Sequence, residues 1–267
     1  MSARMLESFD STLMYLKAEV PEHCRAIAVI IHGLCEHQGR YDYLAARFHE
    51  NGIGTYRFDH RGHGRSEGER TYYRDFTDMS GDLNVVVDTV MAEYPDIPLF
   101  IVGHSMGGFC AALFGVKYPD KARGIVLSGA LTHDTIGLIA GVPPGLDPHM
   151  QLPNELGDGV CSVAAVVEDY IADDYNTKTF TTGLCYEITR GISWLGEQLS
   201  AFEYPVLILH GEQDALVSTQ DSIDFFGKIS SPDRQLKIYG GLYHEIFNEY
   251  CHDEVIDDAI RWILERV

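Results

Sequence analysis

The chain predicts an α/β fold, a mostly parallel central sheet with helices on both faces and a helical cap insertion. Three observations carry that reading. Short apolar runs alternate with helix-length segments, the rhythm of a parallel sheet whose crossovers cover both faces. Ser105, Asp214 and His244 each stand just past the end of a strand-like run, where open α/β sheets collect their ligands. Residues 131–200 break the rhythm and read as an insertion.

The elements follow in order. After edge-like N-terminal strands come a buried strand at 26–31, Ala-Ile-Ala-Val-Ile-Ile, and a helix near 41–51. Next are a strand at 54–58, a helix near 78–94 that ends before Pro95, and the strand Leu99-Phe100-Ile101-Val102. That strand runs into Gly103-His104-Ser105-Met106-Gly107 and a small-residue helix from Gly108. A strand at 124–128 closes the first part of the core. Within the insertion, Gly141 to Gly145 and Pro148 mark loops, while Leu184, Ile188, Ile192, Leu195 and Leu199 recur at helical spacing. Strands at 205–210 and 235–239 and an amphipathic helix from Asp253 to Val267 complete the core. The expected organisation is therefore a core of 1–130 and 201–267 with a cap at 131–200.

G-x-S-x-G alone is weak, arising by chance in roughly one chain in ten of this length. Its setting here is a strand, a sharp turn and a helix, which points the Ser105 hydroxyl away from the sheet, exposed to attack a carbonyl. A serine hydroxyl needs a base to take its proton, and an imidazole with an ordinary pKa near ~6.5 serves. His244 follows the last strand on the loop Gly240-Gly241-Leu242-Tyr243 and is the candidate base. Asp214, at the end of His210-Gly211-Glu212-Gln213, is the candidate acid that fixes the imidazole tautomer, with Glu212 the fallback. The oxyanion of acyl transfer needs two donors. The N–H of Met106, opening the helix, and that of Leu34, after His32-Gly33 at the end of an early strand, are assigned to it. The chain order Ser, Asp, His is that of α/β-hydrolases.

Four stretches carry a resemblance: 32–41 (HGLCEHQGRY), 58–66 (FDHRGHGRS), 103–108 (GHSMGG) and 210–214 (HGEQD). Together they resemble the monoacylglycerol lipase and lysophospholipase group of the α/β-hydrolase superfamily. The resemblance implies a serine hydrolase of carboxylic esters that needs no metal and no cofactor, with a helical cap over the site. It also implies that Glu36 and Arg40 contact the alcohol side of the ester, while bracing of the loop is the competing role. Cys35 stands where a small glycine is common, and Phe247 where some of these lipases carry a second histidine. The apolar residues Leu138, Ile139, Val142, Leu146, Val163, Val166 and Val167 either line an acyl channel or pack the cap onto the core.

Composition sets the bounds. There are 20 Lys and Arg against 40 Asp and Glu, a net charge of −20, which disfavours nucleic acid and anionic surfaces as partners. The small-molecule ester is the expected partner, and a homodimer is left open. No apolar run approaches the ~18 residues of a membrane span, and the N-terminus lacks a signal-peptide core. Six scattered cysteines without a C-x-x-C pair fit reduced thiols in the cytoplasm. His244 to Asn248 imitates the zinc motif H-E-x-x-H but ends in Asn, and His60 and His63 flank Arg61-Gly62 in a loop, so both read as non-metal sites. A ligand-binding protein on the same fold is the alternative class, and a short-chain esterase, thioesterase or peptidase would share every catalytic residue.

Overall fold

The computed structural model describes residues 2–267. The chain enters through an antiparallel pair, β1 (Ser2–Glu7) and β2 (Leu13–Glu19). It continues through β3 (Ala26–Ile31), α1 (Asp42–Glu50), β4 (Ile53–Phe58), α2 (Thr77–Glu93), β5 (Leu99–His104), α3 (Met106–Lys117) and β6 (Gly124–Ser128). The insertion holds a two-stranded ribbon, β7 (Gln151–Pro153) with β8 (Thr179–Thr181), and the helices α4 (Gly157–Val160), α5 (Ala164–Ala172) and α6 (Thr182–Gln198). β9 (Val206–Gly211), α7 (Thr219–Lys228), β10 (Arg234–Tyr239) and α8 (His252–Leu264) complete the core.

One sheet runs in the order β1-β2-β4-β3-β5-β6-β9-β10. From β4 to β10 every neighbouring pair is parallel, and only β1 and β2 are antiparallel additions at the edge. The central strands are buried along their whole length because helices cover both faces, and their side chains divide between two cores with period two. Ile27, Val29 and Ile31 of β3 join the core formed with α2, α3, α6 and α7. Ala26, Ala28 and Ile30 face the opposite core, formed with α1 and α8. From β3 the chain steps to β4 on one side and then returns to β5 on the other. The strand order therefore reverses between β3 and β5, and a crevice opens there beyond their carboxyl ends.

The structure adds elements that periodicity did not signal. Helix α7 buries Asp221, Ser222 and Phe225, so two of its three buried positions are polar. Ser222 and Asp221 are buried because they have partners: His210 Nδ1 lies 2.7 Å from Ser222 Oγ, and Asp221 binds the Thr135 hydroxyl. The ribbon β7/β8 and the four-residue α4 are too short to show a period at all. Within the insertion α6 is a core helix in its packing: Leu184, Ile188, Ile192 and Leu195 enter the larger core. Among the described residues no helix is long and apolar enough to cross a membrane.

Candidate active site

Ser105 sits between β5 and α3 with φ 55° and ψ −118°, a region that costs on the order of 1–3 kcal/mol for a residue with a side chain. The conformation is over-determined by its neighbours. Ser105 N–H donates to Ser128 O at 3.0 Å, and its carbonyl accepts from Phe109 and Leu131. A Cβ at Gly107 would lie 2.3 Å from Ile31 O, so only glycine lets α3 begin this close to the end of β3. The serine is partly exposed while His104 and Met106 beside it are buried.

His244 Nδ1 lies 2.7 Å from Asp214 Oδ2. The other carboxylate oxygen accepts the N–H groups of Leu216 and Val217, both at 2.9 Å. Burial alone would raise the Asp214 pKa, but the His244 charge and the hydrogen-bonding histidines His210 and His244 hold it well below the usual carboxylate range. Burial would lower that of His244, and the facing Asp214 carboxylate overrides this and raises it. The ring is held at Nδ1, which leaves Nε2 for the pocket that His244 and Ser105 share. Gly129 makes this pairing possible: at φ 49°, a Cβ there would lie 3.1 Å from His244 Nδ1 and 3.3 Å from Asp214 Oδ2.

The same pocket is lined by Gly33, Leu34 and Met106. A Cβ on Gly33 would lie 3.1 Å from Ser105 Cβ, so the loop after β3 meets the serine at van der Waals distance. The N–H groups of Leu34 and Met106 have no protein acceptor among the described residues. Much of the remaining wall is aliphatic, with Leu131, Leu138, Ile139, Leu156, Ile188 and Leu216, beside Tyr170 and the carboxylates of Glu36 and Glu245. Of the apolar insertion residues singled out in the sequence, only Leu138 and Ile139 reach this wall. Val163, Val166 and Val167 instead pack with Val160, Cys161 and Tyr170, and Val142 packs on the larger core.

Glu36 and Arg40 part company. Glu36 lines the pocket, with Oε1 accepting from Gly33 N–H at 2.5 Å and Tyr41 OH at 2.7 Å. Arg40 faces a separate surface depression beside Val166, Asp169 and Asn248. Its guanidinium reaches Glu36 Oε2 at 2.9 Å and both oxygens of Glu245 at 2.5 and 2.8 Å, and lies 4.8 Å from the Tyr170 ring centroid. Its donors are turned onto two carboxylates that themselves line the pocket, a placement that favours the bracing role of Arg40 over contact with the alcohol. Cys35 occupies its turn at φ 63°, which explains why glycine suits that position. Phe247 is buried in the smaller core, away from the pocket.

The sequence matches the serine aminopeptidase S33 family over residues 22–250. The chain belongs to that family. Among its relatives, a monoacylglycerol lipase of Mycolicibacterium smegmatis is 35% identical over 253 residues, covering 91% of this chain and 89% of that protein. The monoglyceride lipase of Homo sapiens is 30% identical over 253 residues, covering 91% and 83%. The crystal structure of a Paleococcus ferrophilus monoacylglycerol lipase superposes with a TM-score of 0.83 at 25% identity, over 95% of this chain and 99% of that one. A soluble variant of the Saccharomyces cerevisiae monoglyceride lipase reaches 0.87 at 22% identity, over 100% and 96%, a likeness of fold. This S33 member has the α/β-hydrolase fold that its sequence predicts.

Three neighbours of the site escaped the sequence reading. His104 lies tilted against the base, with ring centroids 4.6 Å apart, and burial together with the His244 charge pushes its pKa down to about 3. Glu245 follows the base directly and anchors it through Arg40. Asp134 opens the insertion and accepts four backbone N–H groups, from Gly137 to Ala140, at 2.7–3.1 Å. The one available signal was local: an Asp three residues before a glycine, ahead of an apolar run. Among the described residues no group of three or more His, Cys, Asp or Glu is placed to hold a metal.

Proposed function

We propose that the protein hydrolyses the carboxylic ester of a monoacyl lipid, a monoacylglycerol or lysophospholipid, through an acyl-enzyme on Ser105. His244 Nε2 takes the hydroxyl proton as Oγ bonds the ester carbonyl carbon. The carbonyl oxygen, now an oxyanion, receives the N–H groups of Leu34 and Met106. Collapse breaks the bond to the alcohol, which leaves with the proton returned by His244, and water repeats the sequence to free the acid. Asp214 keeps the proton of the neutral ring on Nδ1.

The observation that carries this reading is the single aliphatic pocket into which a strained serine, an aspartate-held histidine and two unengaged N–H groups all open. An acyl chain suits such a wall. The family name raises an aminopeptidase as the second reading, and the hydrogen bonding at the pocket argues against it. A free substrate amine needs an unengaged acceptor, yet the carboxylate oxygens at the pocket are taken: those of Glu36 by Gly33 N–H, Tyr41 OH and Arg40, and those of Glu245 by Arg40 and Asn248. The relatives named as monoacylglycerol lipases support the ester reading. All six cysteines are free, which supports a reducing, cytoplasmic setting.

A fluorophosphonate probe should label the protein at one site per chain, and Ser105→Ala should abolish both labelling and ester hydrolysis. Activity is then compared on monoacylglycerols of graded chain length, a lysophospholipid, a short methyl ester, an acyl thioester and an aminoacyl arylamide. Turnover retained by Ser105→Ala overturns the mechanism, and preference for the arylamide, the thioester or the short ester overturns the substrate class.

A further inference from the structure

The two proposed oxyanion donors are fixed by different means. Met106 N–H is the first of α3 and is aimed by the helix, whereas Leu34 N–H belongs to a loop. A peptide unit is planar, so the Leu34 N–H and the Gly33 carbonyl point from opposite edges of one rigid plate. Holding the carbonyl therefore holds the donor.

His32 holds that carbonyl. Its Nδ1 lies 2.8 Å from Gly33 O, and its Nε2 lies 2.9 Å from the His60 backbone nitrogen. A carbonyl only accepts and a backbone N–H only donates, so the ring must carry a proton on Nδ1 and a lone pair on Nε2. One neutral tautomer satisfies both. The ring is fully buried, edge-on to His60 at 4.6 Å between centroids, and burial pushes its pKa down to about 3. On the other side of Gly33, Glu36 Oε1 accepts the Gly33 N–H at 2.5 Å. The residue before the donor is thus pinned at both its polar groups, and turning the Leu34 N–H out of the pocket requires breaking the His32 bond.

We infer that His32 is a positioning residue for ester hydrolysis: a neutral, tautomer-locked imidazole that fixes the Gly33–Leu34 peptide so that the Leu34 N–H faces the oxyanion. The inference rests on the proposed hydrolase reading and deepens it.

The test compares the wild-type protein with His32→Phe, which keeps a ring but no donor, and His32→Asn, whose amide can still donate to Gly33 O. Each is assayed for kcat and KM on a monoacylglycerol, for inhibition by a trifluoromethyl ketone that forms a tetrahedral adduct, and for inhibition by a non-hydrolysable monoalkyl glycerol ether. His32→Phe should lower kcat by about ten- to a hundredfold and weaken the ketone in parallel, with KM and ether binding nearly unchanged, as expected for a displaced donor. His32→Asn should recover part of the loss. Equal weakening of ketone and ether, or an unchanged kcat in His32→Phe, overturns the inference. Nitrogen NMR of the unmutated protein at pH 7 decides the matter even if the variants fail to fold: the proton must sit on Nδ1 of His32, and a proton on Nε2 refutes it. If the wild type is not labelled by the fluorophosphonate, the hydrolase reading itself falls. If it is labelled and His32→Phe turns over normally, only the role of His32 falls.

Discussion

Replacing Asp214 with asparagine exchanges a carboxylate for an amide that has one accepting and one donating end. The surroundings decide which way it turns. Oδ1 receives two backbone N–H groups, from Leu216 and Val217, and Oδ2 faces His244 Nδ1 at 2.7 Å and His210 Nε2 at 3.0 Å. With the amide oxygen on the backbone side, the NH2 meets His244 Nδ1, which can then only accept. The imidazole proton moves to Nε2, where it blocks the transfer from Ser105. A wrong tautomer of this kind costs ~10⁴ in kcat, or about 5.4 kcal/mol at 1.36 per decade. The opposite turn restores the tautomer but sets two backbone donors against an amide donor. At ~1–3 kcal/mol for each unsatisfied group, that is roughly 2–6 kcal/mol, offset by about 1–3 kcal/mol because this turn keeps an accepting oxygen on His210 Nε2, so the active orientation is populated at about one part in 5 to one in 150. The expected loss in kcat therefore lies between those limits, with KM little changed. Steady-state kinetics on a chromogenic acyl ester measure it, beside a thermal melt to show that the variant is folded. Glu212→Gln is the control, since Glu212 is exposed and accepts only Gly241 N–H at 3.2 Å. A folded Asp214→Asn that loses less than about fivefold, or a larger loss in Glu212→Gln, would refute the assignment of the acid.

Because the facing carboxylate raises the pKa of His244 and catalysis needs the neutral ring, kcat/KM should fall as the pH drops through a limb above about 6.5; a limb at or below that value contradicts the pairing. Asp134→Ala frees four N–H groups that shape the Leu138–Ile139 wall, so KM for a long-chain ester should rise by about tenfold while a short ester is little affected, as read from a chain-length series. Arg40→Met leaves Glu36 and Glu245 facing each other without a cation, which should cost about 3–5 kcal/mol and lower the melting temperature by roughly 10 °C, measured by calorimetry.

Much of this was legible because strand burial writes itself into sequence. The runs at 26–31, 99–104 and 206–211 are buried on both faces, and each is followed within three residues by a proposed site residue, Leu34, Ser105 or Asp214, so locating the strand located the candidate. The expected boundaries lie close to the observed ones, with the helix near 78–94 found at Thr77–Glu93. What stayed hidden was set by partners distant in the chain. The α7 face looks solvent-exposed until His210 and Thr135 are known to receive Ser222 and Asp221. Arg40 looks like a ligand contact until Glu245, more than two hundred residues away, is found holding it. The valines at 163, 166 and 167 are as apolar as Leu138, and only three-dimensional placement separates a pocket wall from a small satellite core.

The proposed chemistry and the proposed selection of substrate meet on one loop. Residues 33–41 carry the Leu34 donor, and the insertion grips the same loop three times. Thr177 N–H donates to Cys35 O at 2.9 Å, His37 Nε2 lies 2.9 Å from Asp173 Oδ2, and the Tyr170 ring lies under the Arg40 guanidinium. Arg40 then passes the restraint to Glu245, next to the base. An insertion attached only to its own ends could rise and fall above the sheet without disturbing the oxyanion geometry. Here a shift of α5 and the 173–177 segment pulls on Cys35, His37 and Arg40 together, and the Gly33–Leu34 peptide is the next link along the chain. His32 holds the carbonyl of that peptide and Glu36 holds the N–H of Gly33 just before it, and together they set the position against which any movement of the insertion must work.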